Sequence, residues 1–296
     1  MRPVCILPQY DRIFPLMIDL HAHSTASDGS LSPTQLIELA AERGLAAIAL
    51  TDHDTIAGVG EAAERAKALG LRFIPGVEIE ISWEPGEFHL LGLGIHTPTK
   101  AFTQALEEVA HMRWERNQQI LDRMKELSID GTYDEVKSLA RGDIIGRPHF
   151  AELLQKKGIV KNKEQAFSRY LGKGKPLYAP KGALELRRAL SIIKESGGVA
   201  ILAHPLSLYV SWGRMPALLQ EFKDIGMDGI EAWHPIAKVG ACRRLEKLGH
   251  SLGFLVTAGS DYHGAGRPER KLGITAGDKT IEDSYMEGIP DAAMIS

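Results

Sequence analysis

Apolar residues recur along this chain in short runs that stop abruptly at polar groups. Residues 17–20 (MIDL) run into His21-Ala22-His23, and residues 45–50 (LAAIAL) run into Thr51-Asp52-His53-Asp54. Comparable runs lie at 72–80, 87–95, 198–205, 229–235 and 254–263. Stretches with helical spacing separate them. One opens at Ser32-Pro33, a capping residue followed by a proline at the first helical position, and stops at Gly44. Others lie at 59–70, 185–197 and 216–226. Strand, polar loop, helix, strand is the rhythm of an α/β fold built on a parallel sheet or barrel. Between its two halves, residues 101–128 carry Leu106, Val109, Met112, Ile120, Leu121, Met124 and Leu127 at near-helical spacing. The pattern predicts a barrel from residues 17–98 and 181–276, interrupted by an all-helical insertion at 99–180. Residues 1–16 read as an extension, and the acidic stretch 277–296 as a loose or peripheral tail.

Composition narrows the function classes. A net charge of −3 on 296 residues provides no general basic field of the kind that holds nucleic acid non-specifically. The two cysteines, Cys5 and Cys242, have no metal-ligand spacing and suit a reducing compartment. No apolar run reaches the roughly 18 residues of a membrane span. Asp11 and Arg12 interrupt the apolar N-terminus where a signal peptide would be continuous. The expectation is a soluble cytoplasmic protein with no membrane contact and no obligate protein partner.

The polar strand ends carry the chemistry. Side chains at the carboxyl ends of parallel barrel strands converge on one mouth. A single histidine at a strand end is more often structural than a ligand, but so many strands ending alike do not share that explanation independently. His21 and His23, two apart on a strand, face the same side and can grip one ion. Imidazoles and carboxylates without thiolates suit zinc, manganese or iron. The candidates outnumber one tetrahedral site, which implies two or three ions with a bridging carboxylate. Metals roughly 3.5–4 Å apart can clamp the attacking and leaving oxygens of phosphoryl transfer.

Taken together, DLHAHSTASDGSLSP, IALTDHDT, PGVEIE, a histidine eleven residues beyond Glu78, GRPHF, AILAHP and GSDYHG resemble the PHP (polymerase and histidinol phosphatase) superfamily. Within it, the chain is similar to stand-alone phosphoesterases acting on nucleotides and short RNA. The resemblance implies a distorted (βα)7 barrel with the helical insertion over its mouth. It also implies a site of two or three divalent ions, with manganese expected first and iron or zinc as alternatives. By this resemblance His21, His23 and Asp261 hold one ion, Glu78 bridges it to a second completed by His89 and His204, and Asp28, His53 and His263 hold a third. A metal-activated hydroxide would then hydrolyse the 3′-phosphate of nucleoside 3′,5′-bisphosphates, or act on 5′-mononucleotides or short 5′-phosphorylated RNA. The alternatives are histidinol-phosphate phosphatase and a non-catalytic scaffold.

Other residues are placed around this site. Arg147 and His149, in GRPHF, match the motif expected to meet substrate phosphate, and Lys173, Lys175 and Lys181 can line the same groove. Asp52 and Asp54 either orient imidazoles from behind or, for Asp54, cap the next helix. Arg113 and Arg116 pair with nearby carboxylates or contact substrate. His234 can line the cavity without being a ligand, and His96, His111 and His250 read as ordinary. Trp83, Trp114, Trp212 and Trp233 read first as packing residues, with base stacking as the alternative.

Overall fold

The computed structural model describes residues 15–290, apart from 141, 143 and 181. Seven strands pair in sequential order: β1 (Ile18–Asp19), β2 (Ala47–Leu50), β3 (Arg72–Ile81), β4 (Phe88–Leu93), β5 (Val199–Leu202), β6 (Gly229–Trp233) and β7 (Leu255–Ala258). The short continuous apolar runs are explained by burial on both faces. Every residue of β2 and of β6 is buried.

Pairing is parallel from β1 to β3 and from β5 to β7, but β4 runs antiparallel to both neighbours. The antiparallel β4 is the departure from the parallel rhythm read along the chain. A short turn joins β3 to β4, too short for the helical crossover a parallel pair needs. The reversal has a functional consequence, because His89 lies near the start of β4 and pairs with Glu80 near the end of β3. It therefore reaches the same mouth as side chains at the ends of parallel strands.

Backbone and carboxylate bonds close the ring between β1 and β7. The His23 N–H donates to the Tyr262 carbonyl at 2.9 Å. The buried Asp19 carboxylate accepts N–H groups from His21, Ser260 and Gly273 at 3.2, 3.0 and 2.7 Å. The sheet thus forms a nearly closed seven-stranded barrel, in line with the (βα)7 expectation.

Helices clothe its outside: α1 (Pro33–Glu42), α2 (Val59–Leu69) and, beyond the long helical segment, α7 (Leu186–Glu195), α8 (Met215–Asp224) and α9 (Val239–Ser251). Ser32 caps α1, as expected from its place before Pro33, and Gln35 completes a reciprocal box with it. Gly70, at φ 65°, ends α2 in the left-handed conformation that glycine adopts without steric cost.

The helical segment comprises α3 (Lys100–Glu126), α4 (Tyr133–Lys137), α5 (Arg147–Lys156), α6 (Lys163–Ala166) and a π-turn at Phe167–Leu171. Helix α3 serves two cores. Its first half sends Phe102, Ala105 and Val109 into the barrel core. Its second half sends Ile120 and Met124 into a separate cluster with Phe150, Leu154 and Leu171. Replacing the fully buried Phe150 by alanine is expected to destabilise the protein by about 3–5 kcal/mol. Denaturant titration reads that loss; a change under about 1 kcal/mol would mean the second cluster is not a cooperative core.

The stretch after Gly277 is not loose through residue 290. Ile281 is fully buried and Ile289 nearly so, and the Ile18 N–H donates to the Ile281 carbonyl at 2.9 Å. Two isolated isoleucines in an acidic run leave no periodicity to read, yet they suffice to pin the segment across the barrel end. A small hairpin of β8 (Ile274–Thr275) and β9 (Lys279–Thr280) precedes Ile281. Residues 1–14, with Cys5, and residues 291–296 lie outside the described region. Cys242 is a buried core thiol on α9. Among the described residues no helix is long and apolar enough to cross a membrane.

Candidate metal centre

His21 and His23 leave β1 on alternate residues of an extended chain, so both turn into the barrel mouth, where both are fully buried. Glu78, in the middle of β3, meets them. Its Oε2 lies 3.2 Å from His21 Nε2, 3.2 Å from His23 Nε2 and 3.1 Å from His53 Nδ1. Its Oε1 lies 2.8 Å from His89 Nδ1 and 3.0 Å from His204 Nε2. One carboxylate therefore touches five imidazoles drawn from distant parts of the chain. Burial opposes ionisation of Glu78, but His53, His21 and His89 outweigh it and hold the carboxyl well below the ordinary range.

Asp261 completes the inner group, its Oδ1 standing 3.5 Å from His21 Nε2 and 3.1 Å from His23 Nε2. Beyond it, His263 Nε2 lies 3.2 Å from Asp28 Oδ1. Ligand-capable atoms fall into three compact, overlapping groups: His21, His23, Glu78 and Asp261; His23, Asp28, His53 and His263; and His53, Glu78 and His89. All nine expected positions converge, with three differences in grouping. His23 also belongs with Asp28, and His53 joins the Asp28 group to the His89 group. His204 touches Glu78 Oε1 but stands outside the compact groups.

The donor atoms fit cations. His21 Nε2, His23 Nε2, Glu78 Oε2 and Asp261 Oδ1 are all buried without a hydrogen-bond partner. Orphaned buried polar atoms are costly, and four facing one another are costlier still. Bonds of about 2.0–2.1 Å to a tetrahedral ion put its ligands about 3.3 Å apart. The contacts among these atoms, at 3.1–3.5 Å, have that spacing.

Outer contacts aim the ligands. Glu231, fully buried in β6, accepts from His21 Nδ1 at 2.9 Å and, through its other oxygen, from the His204 N–H at 2.8 Å. With one ring nitrogen engaged, His21 turns the other inward. His263 Nδ1 is held by the Asp261 carbonyl at 2.8 Å, and His204 Nδ1 by Ser207 Oγ at 2.9 Å. Arg270 and His234 grip Asp261 Oδ2, leaving Oδ1 to the cluster. Gly259 permits the close approach of β7, because a Cβ there would stand 2.3 Å from His21 Cβ and 2.5 Å from Glu231 Oε1. His204 and Asp261 adopt φ of 29° and 50°, left-handed values that surrounding structure must impose. Glu231 and Arg270 were not anticipated. For Glu231 the signal was a lone carboxylate within an otherwise apolar strand.

The expected roles of the carboxylates flanking His53 need correction. Asp52 touches no imidazole. It accepts from the Ser24 N–H, Ser24 Oγ and Ser27 Oγ at 2.8, 2.6 and 2.5 Å, which ties down the loop between His23 and Asp28. Asp54 neither caps α2, whose N-cap is Gly58, nor orients a histidine. At φ 52° it turns back to accept the Glu80 N–H at 3.0 Å and to pair with Arg113. Replacing Asp52 with alanine is expected to weaken metal binding at the Asp28 group by about 10–100-fold. Metal titration reads it; unaltered affinity would mean the loop holds its shape unaided.

A cavity of about 230 Å³ opens onto Asp28, His53 and His89, and Arg113, Arg116, Arg147 and Arg267 line it. Arg147 leans over the rings of Phe167 and Tyr178, and His149 Nδ1 accepts the Gly146 N–H at the start of α5. Arg116 is buried, and its Nε has no hydrogen-bond partner. Burial, with Arg113 and Arg147 close by, pushes its guanidinium down to about 10. Planar permanent cations beside a cluster of ligand atoms suit a phosphate group. Lys175 is not part of this cavity. It is exposed in a surface turn where its N–H donates to the Gly172 carbonyl, and Lys173 pairs with Glu84. Lys181 lies outside the described residues.

Known proteins resemble this chain over nearly its whole length. A 5′-3′ exoribonuclease of Haemophilus influenzae is 38% identical over 83% of this chain and 89% of its own. A 3′,5′-nucleoside bisphosphate phosphatase of Chromobacterium violaceum is 34% identical over 87% and 91%. A solved structure from C. violaceum, described as an amidohydrolase with bound sulfate and no metal, superposes with a TM-score of 0.77 at 33% identity, covering 93% of this chain and 92% of that one. The PHP domain model matches residues 19–189, from the strand that delivers His21 and His23, through Glu78 and His89, to α7. More than half of the chain thus follows the pattern that builds this cluster, and the chain belongs to the PHP domain family.

Proposed function

We propose that this enzyme hydrolyses nucleotide phosphoesters: the 3′-phosphate of nucleoside 3′,5′-bisphosphates, 5′-mononucleotides or short 5′-phosphorylated RNA. Family membership makes it a metal-dependent phosphoester hydrolase. The observation that carries the reading is the adjacency of the ligand cluster to the arginine-lined cavity. The nucleotide-acting relatives support the substrate class.

His21, His23, Glu78 and Asp261 would hold one ion. His53, His89 and His204 would serve a second with Glu78 as bridge, and Asp28, His53, His263 and His23 a third. Such ions, manganese first and iron or zinc otherwise, supply Lewis acidity and bring the pKa of water toward neutrality. The chain does the rest. Glu231 and Asp261 fix the imidazoles so that no reorganisation is needed when charge develops. Arg147, Arg116 and Arg113 hold phosphate oxygens that do not react, and His149 lines the same cavity. The helical segment covers the mouth and limits water around these charges.

Protein loaded with Mn²⁺ is expected to release phosphate from a nucleoside 3′,5′-bisphosphate or mononucleotides from a 5′-phosphorylated oligoribonucleotide. Turnover of histidinol phosphate alone would move the substrate class, and metal-loaded protein inert on all three would be a scaffold. Chelation should abolish turnover and Mn²⁺ should restore it. Chelation should also lower thermal stability, since an ion present at 100 times its dissociation constant contributes about 2.7 kcal/mol. A melting temperature unchanged by chelator would count against resident ions.

A further inference from the structure

Beside the arginine-lined cavity lies a larger one of about 450 Å³, within the usual range for small-molecule sites. Helix α3 contributes Ala110, Arg113, Trp114 and Asn117 to its lining, with Ile56 and Tyr133 among the other lining residues. Arg113 and Ile144 line both cavities, so the two adjoin each other across these side chains. The larger is mostly apolar, which does not suit a second phosphate.

Two side chains in it have unspent capacity. Trp114, among the residues lining this cavity, is 48% exposed; the His111 ring lies parallel to its indole at 6.1 Å between centroids and leaves about half of the side chain uncovered. Asn117 is 1% exposed; its Nδ2 donates to the Ile145 carbonyl at 3.1 Å, while its Oδ1 is buried without any partner. The first bond fixes which end of the amide is the acceptor. A buried acceptor left unpaired is costly and is explained when a ligand donates to it. A ligand matching both features is flat, stacks on an aromatic face and offers an N–H. It must also be joined to a phosphate seated next door.

From these features we infer that the larger cavity holds the nucleobase of the substrate, stacked against Trp114 and donating an N–H to Asn117 Oδ1, with Arg113 at the junction between base and phosphate. The inference rests on the nucleotide reading above and adds the residues that recognise the base. Stacking tolerates every base, and a single acceptor finds a donor on each of them, so the site selects nucleotides over other phosphoesters rather than one base over another.

The test is equilibrium binding of adenosine 5′-monophosphate and ribose 5-phosphate to the Mn²⁺-loaded full-length protein, comparing wild type with Trp114→Ala and Asn117→Leu. Wild type should prefer the nucleotide. Each substitution should cut the ratio of nucleotide to sugar-phosphate affinity about tenfold or more, the scale of lost base stacking. No preference in wild type overturns the inference. So does an unchanged ratio in Trp114→Ala, even with both affinities lowered together, as a purely structural role would produce. Because Trp114 is half exposed, that variant keeps the test decisive if Asn117→Leu does not fold. Turnover separates the two readings. Protein that prefers the nucleotide through Trp114 yet hydrolyses no nucleotide loses the substrate reading and keeps the base pocket. Protein that hydrolyses nucleotides with an unchanged ratio loses only the pocket.

Discussion

Glu78→Gln is expected to abolish turnover, by on the order of 10³-fold or more, and to strip metal from the protein as isolated. The substitution keeps the side chain's shape and removes its charge. That charge is what five surrounding imidazoles face, from His21 and His23 on one oxygen to His89 and His204 on the other. Single preorganised electrostatic groups commonly carry 10²–10³-fold in rate, and a carboxylate serving more than one ion should exceed that. Metal analysis alongside kinetics reads the outcome, and full metal content in Glu78→Gln would sink the bridging role. His53→Ala makes an informative partner. The sequence reading places His53 with Asp28 and His263 only, so that one ion should leave. In the structure His53 also stands with Glu78 and His89, which predicts weakened binding at two positions together. Loss of a single ion would favour the narrower role.

Arg147→Ala should raise KM by about 10–100-fold and leave metal content unchanged. This is the scale of one charge-assisted hydrogen bond to phosphate, about 1.5–3 kcal/mol. Arg147 lines the cavity beside His53 and His89 but is absent from every ligand group, so substrate and metal effects should separate. Metal lost with Arg147 would make its role structural. Arg116 offers a sharper contrast. It is a buried guanidinium with Arg113 and Arg147 as neighbours, a charge arrangement that burial and mutual repulsion both disfavour. Arg116→Met should therefore melt at a higher temperature than wild type while binding substrate more weakly. Simultaneous loss of stability and affinity would instead mean that the Arg116 charge supports the fold.

Much of this protein could be read along the chain because the relevant signals are local. The strands appear as largely apolar runs, since burial on both faces admits a polar residue such as Glu78 or Glu231 only where it has partners. Ser32 with Pro33 marks the start of α1, and the helical stretch at 59–70 ends at Gly70, because caps depend on a few neighbouring residues. The nine histidines and carboxylates in and around the strands stand out because a core does not tolerate them without purpose; eight of them fall into the compact groups, and His204 joins them through Glu78.

What the tertiary structure decided depends on partners far apart in the chain. The direction of β4 follows from its pairing on both sides, and only that direction brings His89 to the mouth. Asp52 and Asp54 look equivalent around His53, but one ties down the Ser24–Ser27 loop and the other anchors Arg113 on α3. Glu231 is one acidic residue in an apolar strand until the fold sets it 2.9 Å from His21. Arg116 and Lys175 carry the same charge, yet one lines the cavity and the other faces solvent. Residue chemistry and periodicity are inscribed along the chain, whereas distances across the barrel mouth arise only when every strand has found its place.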